Sequence, residues 1–351
     1  MQKLDYIIVG GGIAGIFCAY HLQKQGQKVH LVSDSKTPSA SQVAAGTWNP
    51  IAFKRFILSW RAQEFLHEMN IQYPELESLL NEQFYEFITA KKLITPGNEL
   101  QLWEQQANTS EMKSYMVTNP PASVFPKDFF LGELKQTGRV QLPVLLPAFH
   151  QYLAKSGAFE DEKFDYNLLQ QKDSGWVYKN TEAKRVIFCE GAHIQNNPFF
   201  SWLPLKSAKG DVIIIHSPGL KLDYILKKNI FILPIGDDQY EVGATYDWKN
   251  LDWEPNEEGV AQLCEKLKML IQVPFTVIGK KAGIRPTSYD RRIIMGKHPE
   301  EKGLFAFNGL GTKGVLLAPL AAKEFADYLV NNIQLNPEMD INRCLKYYQK
   351  R

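Results

Sequence analysis

The opening residues of the chain impose the strongest constraint on its fold. Asp5–Val9 is a short β-branched run, Gly10–Gly15 has the spacing G-x-G-x-x-G, and Ile16–Gln25 has helical character. After Gly26, a second β-branched run extends over Lys28–Val32. This order predicts a βαβ unit with the glycines at its first turn, the arrangement typical of dinucleotide-binding proteins.

Each glycine of this turn has its own physical task. Gly10 permits the tight turn, Gly12 lets the backbone approach a pyrophosphate, and Gly15 lets the helix pack closely on the strand. Ile13 and Ala14 lie where the first helical N–H groups and the positive end of the helix dipole face the phosphates. The position between two predicted strands favours dinucleotide binding over a glycine-rich turn without a ligand.

The end of the second strand normally carries an acidic residue that holds a ribose hydroxyl, about 20 residues beyond the glycines. Here Ser33 occupies the expected position and Asp34 follows it. Both are candidates for the ribose contact. No arginine follows directly to receive a 2′-phosphate, which makes NADP a poor fit.

Composition restricts the class of protein. At about 150 residues per domain, 351 residues indicate about two domains. With 44% hydrophobic residues the chain can form a substantial core, and a net charge of +2 provides no overall field for nucleic acid or an anionic membrane. No run of 18 apolar residues is present, so no membrane span is predicted. The glycines within the apolar run Ile7–Tyr20 argue against a signal peptide.

The four cysteines form no recognisable framework. Cys18, Cys189, Cys264 and Cys344 include no C-x-x-C pair, and no histidine stands near them at metal-ligand spacing. This pattern predicts reduced thiols in a cytoplasmic protein, without a metal site.

Two further glycine-rich segments distinguish a flavin from a nicotinamide. Arg185–Cys189 is a predicted strand that leads to Gly191, and Leu304–Phe307 is another that precedes a helix from about Val315 to Val330. A reduced flavin becomes negative at its N1–C2=O edge, and a second helix N-terminus stabilises that charge. FAD is therefore favoured. The stretch from Ser39 to Pro50, rich in small residues, can lie against a flat ring, although it also fits a surface loop. The candidate ring contacts in these segments are Gln42, Ala44, Ala45, Gly46, Thr47, Gly191, Ala192, Gly309, Gly311, Thr312, Lys313 and Gly314.

Together these segments resemble one family. The matching blocks are the N-terminal glycine turn, Val43–Gly46 with Pro50, Cys189–Ala192, Phe231–Pro234 with Val242–Thr245, Ala282–Pro286 with Asp290 and Gly296, and Gly309–Pro319. The chain resembles the FAD-dependent oxidoreductases of the D-amino-acid oxidase, glycine oxidase and sarcosine oxidase superfamily. Residues 56–138 match least. Two positions depart from the family: Leu310 replaces a common histidine, and Ile235 replaces a frequent arginine.

The resemblance implies an α/β, Rossmann-type FAD domain interleaved with a smaller α+β substrate domain on a mixed or antiparallel sheet. The expected FAD domain covers 1–55, 139–210 and 281–351, and the expected substrate domain covers 56–138 and 211–280. No cysteine or histidine matches a site of covalent attachment, so non-covalent FAD is expected. The implied reaction transfers hydride from the carbon that bears a substrate amine to flavin N5, after which the imine hydrolyses. Oxygen or another acceptor then takes the electrons.

Three side chains are the candidate catalytic residues. Arg285 matches a family position near the flavin, and its guanidinium can bind a carboxylate through two hydrogen bonds, unless backbone carbonyls or the flavin occupy it. Lys313 is placed to stabilise the reduced flavin or assist oxygen, or else points to solvent. Trp48, with Tyr246 and Trp248, either walls the active site or belongs to the core.

Two other functions stay open. Gly311–Gly314 and the following Ala-Pro helix are similar to the flavin domain of the bifunctional enzyme that modifies wobble uridine in tRNA. The missing methyltransferase domain counts against that function. The short basic pairs, such as Lys91-Lys92 and Lys227-Lys228, are expected on solvated faces rather than on one continuous basic surface. Nucleic acid is therefore not expected as a partner. The third function is a protein that binds FAD without turnover.

Overall fold

The computed structural model describes residues 2–119, 125 and 129–349. In these residues the strands are β1 (Gln2–Val9), β2 (Val29–Val32), β3 (Thr47–Trp48), β4 (Ile51–Ala52), β5 (Ile57–Leu58), β6 (Tyr85–Phe87), β7 (Ala90–Ile94), β8 (Met116–Asn119), β9 (Phe130–Leu134), β10 (Gly138–Val140), β11 (Phe159–Glu160), β12 (Leu169–Lys172), β13 (Gly175–Tyr178), β14 (Thr181–Phe188), β15 (Ala208–His216), β16 (Ile225–Lys227), β17 (Phe231–Gly236), β18 (Gln239–Gly243), β19 (Thr276–Arg285), β20 (Ile294–Lys297) and β21 (Leu304–Asn308). The helices are α1 (Ile13–Lys24), α2 (Ala40–Val43), α3 (Ala62–Leu80), α4 (Asn98–Ala107), α5 (Leu142–Lys155), α6 (Glu257–Lys268), α7 (Gly314–Asn331) and α8 (Leu345–Tyr348).

The first large sheet is built around β1. Strands β11, β2, β1 and β14 lie side by side in parallel, and β21 extends β14 in the same direction. β12 and β13 add an antiparallel edge, and β20 pairs with β21. The predicted βαβ unit is confirmed, with α1 beginning at Ile13 rather than Ile16 because Gly12 is already its N-cap.

β1 is buried on both faces, as its β-branched sequence predicts. Tyr6 and Ile8 pack in the cluster that contains α1 and α7, while Ile7 and Val9 pack on the opposite side with Phe188. A strand buried on both faces must be covered by two layers. Helices α1 and α7 cover one face, and the cluster that contains Phe188 and Phe200 covers the other.

The second large sheet has the order β19-β15-β18-β17-β16-β7-β9-β8. All its pairs are antiparallel except the parallel pair of β16 and β7, so the predicted mixed sheet is confirmed. Leu263 and Leu267 of α6 pack in its core. The domain limits expected at 210 and 281 fall within β15 and β19, two long strands that continue toward the first sheet.

Helix α3 belongs structurally with the helices of the first sheet, although it comes from the segment 56–138. The hydroxyl of Tyr73 donates a 2.6 Å hydrogen bond to the carbonyl oxygen of Val315, in the first turn of α7. Further along α7, Arg61 pairs with Glu324 and Lys323 pairs with Glu68. In the described part of the chain, no helix is long and apolar enough to cross a membrane.

Replacing Tyr73 by Phe tests the contact between α3 and α7. The change leaves a buried carbonyl without a partner, which costs about 1–3 kcal/mol of the free energy of unfolding, measured in urea. Tyr85→Phe is the control, since its hydroxyl reaches an exposed Asn70 and its loss costs within about 0.5 kcal/mol. Equal losses in both variants would contradict the proposed importance of this hydrogen bond.

Candidate active site

A single large cavity lies between the ends of the parallel strands and the second sheet. It encloses ≈ 2550 Å³, more than twice the upper end of the usual small-molecule range of about 300–1,000 Å³. This volume is large enough to receive a dinucleotide and a small substrate together. Every candidate residue predicted from the sequence except Gly15 lines it: Gly10, Gly12, Ile13, Ala14, Ser33, Asp34, Gln42, Ala44, Ala45, Gly46, Thr47, Trp48, Gly191, Ala192, Arg285, Gly309, Gly311, Thr312, Lys313 and Gly314.

The glycine turn is shaped by close backbone contacts. Gly10 has φ +102°, and a Cβ there would lie 2.5 Å from the carbonyl oxygen of Cys189. A Cβ on Gly15 would lie 1.8 Å from the carbonyl oxygen of Gly10, which explains why Gly15 packs beneath the turn instead of lining the cavity. At Gly12 a Cβ would meet only the hydroxyl of Ser41, at 3.1 Å. The fold itself therefore requires the first and third glycines, while Gly12 leaves space for a ligand.

Two polar side chains that sequence reasoning missed support this turn. Ser41 Oγ accepts a 3.1 Å hydrogen bond from the backbone N–H of Ile13, and His150 Nε2 donates a 2.9 Å hydrogen bond to the carbonyl oxygen of Gly11. Burial lowers the pKa of His150, which favours the neutral imidazole. Neither residue belongs to the glycine motif, and only the fold brings them to it.

Ser33 and Asp34 follow β2 but differ in their surroundings. The carboxylate of Asp34 accepts hydrogen bonds from the backbone N–H of Lys36, at 2.8 Å, and from Thr37 Oγ1, at 2.7 Å. These hydrogen bonds lower the pKa of Asp34, and the bond from Thr37 has the largest effect. Ser33 Oγ lies beside Gly11, at the cavity wall.

The segment 39–50 is a structured loop. Ser39 and Gln42 form a reciprocal capping box on α2, and the Gln42 amide also donates to the carbonyl oxygen of Ser35. Gly46 has φ +70°, and a Cβ there would lie 1.9 Å from the carbonyl oxygen of Val140. The loop is therefore held against β10 by its backbone.

Trp48 is placed mainly by core packing. Its ring is 2% exposed and stacks on Tyr85 with centroids 4.8 Å apart, and its indole N–H donates to the carbonyl oxygen of Gln136. These contacts fit the core alternative for this residue. Tyr246 and Trp248, by contrast, stack on each other at 5.8 Å and stand half-exposed at the cavity mouth.

Glu190 is a buried carboxyl group at the cavity wall, just after β14. Tyr166 donates a short hydrogen bond to it, and Asn197 Nδ2 donates another at 2.7 Å. Burial raises the pKa of Glu190 to about 7, although both hydrogen bonds oppose that rise. The sequence marked this residue only as the start of a turn, since its burial depends on segments far along the chain.

The two C-terminal glycine loops are tied to each other. Asn308 Nδ2 donates to the carbonyl oxygen of Gly191 at 2.9 Å, and its Oδ1 accepts from the N–H of Gly309 at 2.7 Å. Gly309 and Gly311 have φ of +80° and +56°, and α7 starts at Gly314. A second helix N-terminus thus faces the cavity, as predicted.

Arg285 lies across the floor of the cavity. Its Nη1 donates to the carbonyl oxygens of Lys209, at 3.3 Å, and Thr245, at 3.2 Å, and its guanidinium carbon is 4.3 Å from the ring centroid of Tyr246. The side chain passes over Gly210, where a Cβ would lie 2.0 Å from Nη2. Burial lowers its pKa. Backbone carbonyls therefore occupy only Nη1 of the guanidinium. Nε and Nη2 form no hydrogen bond with the described residues.

Two lysines that line the cavity, Lys313 and Lys227, carry amines without an ion-pair partner in the described residues. Lys313 Nζ is buried and has no hydrogen-bond partner in the described residues, so its side chain does not point to solvent. Burial lowers its pKa to about 8. Burial and the charge of Lys313 lower the pKa of Lys227 to about 8. The expectation of solvated basic pairs is wrong for Lys92, whose buried amine pairs with Glu99 at 2.9 Å. Lys227 is half-buried and lines the cavity.

This combination of a phosphate-binding turn, a second glycine-lined helix tip and a cavity between two sheets is that of a dinucleotide-binding flavoprotein. The model of the FAD dependent oxidoreductase family (DAO) matches residues 5–328, and the chain belongs to that family. The predicted enzyme class and the predicted cofactor, FAD, are confirmed.

Relatives and solved structures agree with this assignment. The chain is 25% identical over 361 residues to a glycine oxidase of Geobacillus kaustophilus (strain HTA426), covering 93% of each protein. It is 24% identical over 365 residues to a tRNA 5-methylaminomethyl-2-thiouridine biosynthesis bifunctional protein of Idiomarina loihiensis, and spans 56% of that protein.

The fold is similar to the crystal structure of glycine oxidase from Geobacillus kaustophilus, with a TM-score of 0.79, 23% identity, and 95% and 96% of the two chains covered. Iminodiacetate oxidase from Chelativorans sp. BNC1 gives a TM-score of 0.78 at 19% identity, with 95% and 97% covered. At these identities the likeness concerns the fold, and it confirms the predicted architecture.

Gly15→Ala and Gly12→Ala should separate the two tasks of the glycine turn. Gly15→Ala is expected to lower the free energy of unfolding of the FAD-free protein by about 3 kcal/mol or more, because its Cβ meets backbone. Gly12→Ala is expected to leave that stability near the original value and to weaken FAD binding, measured by flavin fluorescence titration. Unchanged FAD affinity in Gly12→Ala would contradict a close approach of the pyrophosphate.

Glu190→Gln tests the buried carboxyl group through pH. Because the pKa of Glu190 in the folded state, about 7, exceeds the 4.5 of an unperturbed glutamate, the folded state holds its proton to higher pH than the unfolded state does. The contribution to stability is full below about pH 4.5, falls as pH rises to about 7, and is then constant, a change of up to about 3 kcal/mol. Urea unfolding across this range should show the decline in the original protein and a flatter profile in Glu190→Gln. Identical slopes would contradict the assignment.

Proposed function

We propose that this protein oxidises a small amine or amino acid, passing hydride from the carbon that bears the amine to bound FAD. The observation that carries the proposal is Arg285, whose Nε and Nη2 lack hydrogen bonds to described residues while Nη1 is anchored to two backbone carbonyls. An anchored guanidinium with two remaining donors suits a carboxylate, which it binds in a fixed orientation.

FAD, when bound, supplies the two-electron acceptor, and the chain supplies binding, orientation and electrostatics. Gly10, Gly12 and the N-terminus of α1 are proposed to hold the pyrophosphate. Ser33 is proposed for the ribose, because Asp34 already serves its own turn. Lys313 and the N-terminus of α7 place positive charge where a reduced ring would be negative. A neutral substrate amine suffices for hydride transfer, so no protein base is assigned.

Non-covalent attachment of FAD and a cytoplasmic location are parts of the same proposal. Cys18 and Cys189 are buried and the four described cysteines are all free thiols, which suits a reducing compartment. The proposed division is an FAD domain over 1–55, 139–210 and 281–351 and a substrate domain over 56–138 and 211–280, with α3 of the second segment packed against α7 of the FAD domain.

A tRNA-borne aminomethyl group is the second candidate substrate. It is supported by the relative from Idiomarina loihiensis, which covers 95% of this chain, and by the half-exposed rings of Tyr246 and Trp248 at the cavity mouth. Exposed aromatic rings provide stacking surfaces for bases. The remaining alternative is an FAD-binding protein without turnover.

An anaerobic screen tests the function. Glycine, sarcosine, proline, D-amino acids and simple amines are each added to the FAD-loaded protein, and bleaching of the flavin absorbance band is recorded. Bleaching by a small amine supports the proposal. Stoichiometric FAD that no amine bleaches would contradict it and favour binding without turnover, whereas tRNA binding at moderate salt without small-amine turnover would favour the second candidate.

Arg285→Met should raise the apparent dissociation constant of any carboxylate-bearing substrate by about 100-fold or more, because two charge-assisted hydrogen bonds are lost. Arg285→Lys should recover only part, since a lysine lacks the paired donors. Arg291→Met, an exposed arginine at the cavity rim, serves as the control and should have little effect. Unchanged affinity in Arg285→Met would show that its role is structural.

A further inference from the structure

The part of the cavity lined by the second sheet contains two cationic side chains, Arg285 and Lys227, that form no ion pair with a carboxylate of the described residues. In the described chain, the acidic residues that line the cavity all come from the side of the first sheet: Asp34, Asp161, Glu162, Asp165 and Glu190. Arg285 and Lys227 stand on strands of the second sheet, and Lys313 stands at the N-cap of α7. Cationic side chains that lack an ion-pair partner on a cavity wall favour ligands that place negative charge beside them.

The register of the second sheet locates Lys227 relative to Arg285. Val212, Gly243, Phe231 and Lys227 form one row across β15, β18, β17 and β16, so their side chains share a face. Gly210, under the guanidinium of Arg285, lies two residues from Val212 and belongs to the same face. Three strand spacings separate β15 from β16, about 14 Å between backbones. The Arg285 guanidinium lies over Gly210 of β15 and Lys227 Nζ lies 5.8 Å from the ring centroid of Phe231 on β17, so both charged ends lie over this face of the sheet.

The amine of Lys227 forms no hydrogen bond or ion pair with the described residues. Its Nζ lies 5.8 Å from the ring centroid of Phe231, and no carboxylate of the described residues pairs with it. Its neighbour Lys228 differs, because it pairs with Glu99 at 2.8 Å and with Thr95 Oγ1. Lys313 Nζ, which also lacks a partner in the described residues, repels Lys227 across the cavity. A buried ammonium group at Lys313 and a half-buried one at Lys227, both unpaired, are costly in a folded protein unless a ligand compensates them.

We propose that Lys227 binds a second anionic group of the substrate, so that the preferred substrate is an amine with two carboxylates. Arg285 holds one carboxylate and Lys227 the other, with Lys313 adding to the local positive charge. Lys227 is then a specificity-determining residue, since a substrate with one carboxylate leaves its amine uncompensated. The proposal rests on the proposed function only for the identity of the reacting amine, because the anion site itself does not require turnover.

The FAD-loaded protein is titrated with acetate and with succinate, two acids that flavin does not oxidise by amine chemistry, and the perturbation of the flavin spectrum is recorded. Succinate is expected to bind at least about tenfold more tightly than acetate, the effect of one additional charge-assisted contact. Lys227→Gln should remove most of this ratio. Lys91→Gln, which makes the same change on neighbouring β7 but outside the cavity wall, should preserve it. Unchanged FAD content shows that both variants are folded.

Several results would overturn the proposal. Succinate that binds no more tightly than acetate excludes a second anion position, and a ratio unchanged in Lys227→Gln excludes this residue. Bulk tRNA that displaces succinate at about 0.15 M salt from the original protein, but not from Lys227→Gln, would assign the position to a nucleic-acid phosphate instead. Tight succinate binding in a protein that no amine reduces would contradict the proposed function and leave the anion site intact.

Discussion

The contact between the carbonyl oxygen of Gly10 and Gly15 is the constraint on which the rest of the structure depends. It sets α1 directly against the end of β1, so that the helix N-terminus opens into the space beyond the parallel strands. Any side chain at Gly15 would push α1 away from that position. Every later element of the site, from Ser33 to the loop after β21, is placed relative to this strand end.

Parallel strands bring distant loops together because their carboxyl ends lie at one edge. Gly191 follows β14 and Gly309 follows β21, and Asn308 joins the two loops through hydrogen bonds to both. The second sheet then closes the space, with Arg285 extended over Gly210. The cavity is thus glycine-lined where it meets the first sheet, while the wall formed by the second sheet presents Arg285 and Lys227 without ion-pair partners in the described residues, which favours a ligand with anionic ends.

Buried ionisable groups divide into two kinds in this protein. Glu190 is buried with two donors, Tyr166 and Asn197, and so is fully accommodated by the fold. Lys313, whose amine is buried, and Lys227, which is half-buried at the cavity wall, lack a counter-charge in the described residues, and we infer that a ligand supplies one. A group of the first kind contributes to the architecture of the site, whereas a group of the second kind indicates a ligand.

The sequence alone determined the features that depend on neighbouring residues. The βαβ unit, its glycine turn and the glycine loops after two later strands follow from local conformation and periodicity, so the fold, the cofactor and most of the cavity wall were predictable.

Only the tertiary structure decided the features that depend on burial. Trp48 packs into the core, Glu190 is buried, and Lys227 turns inward although its dibasic sequence suggests a solvated face. Burial is set by which distant strands become neighbours, and β16 meets β7 through a pairing that no local pattern encodes.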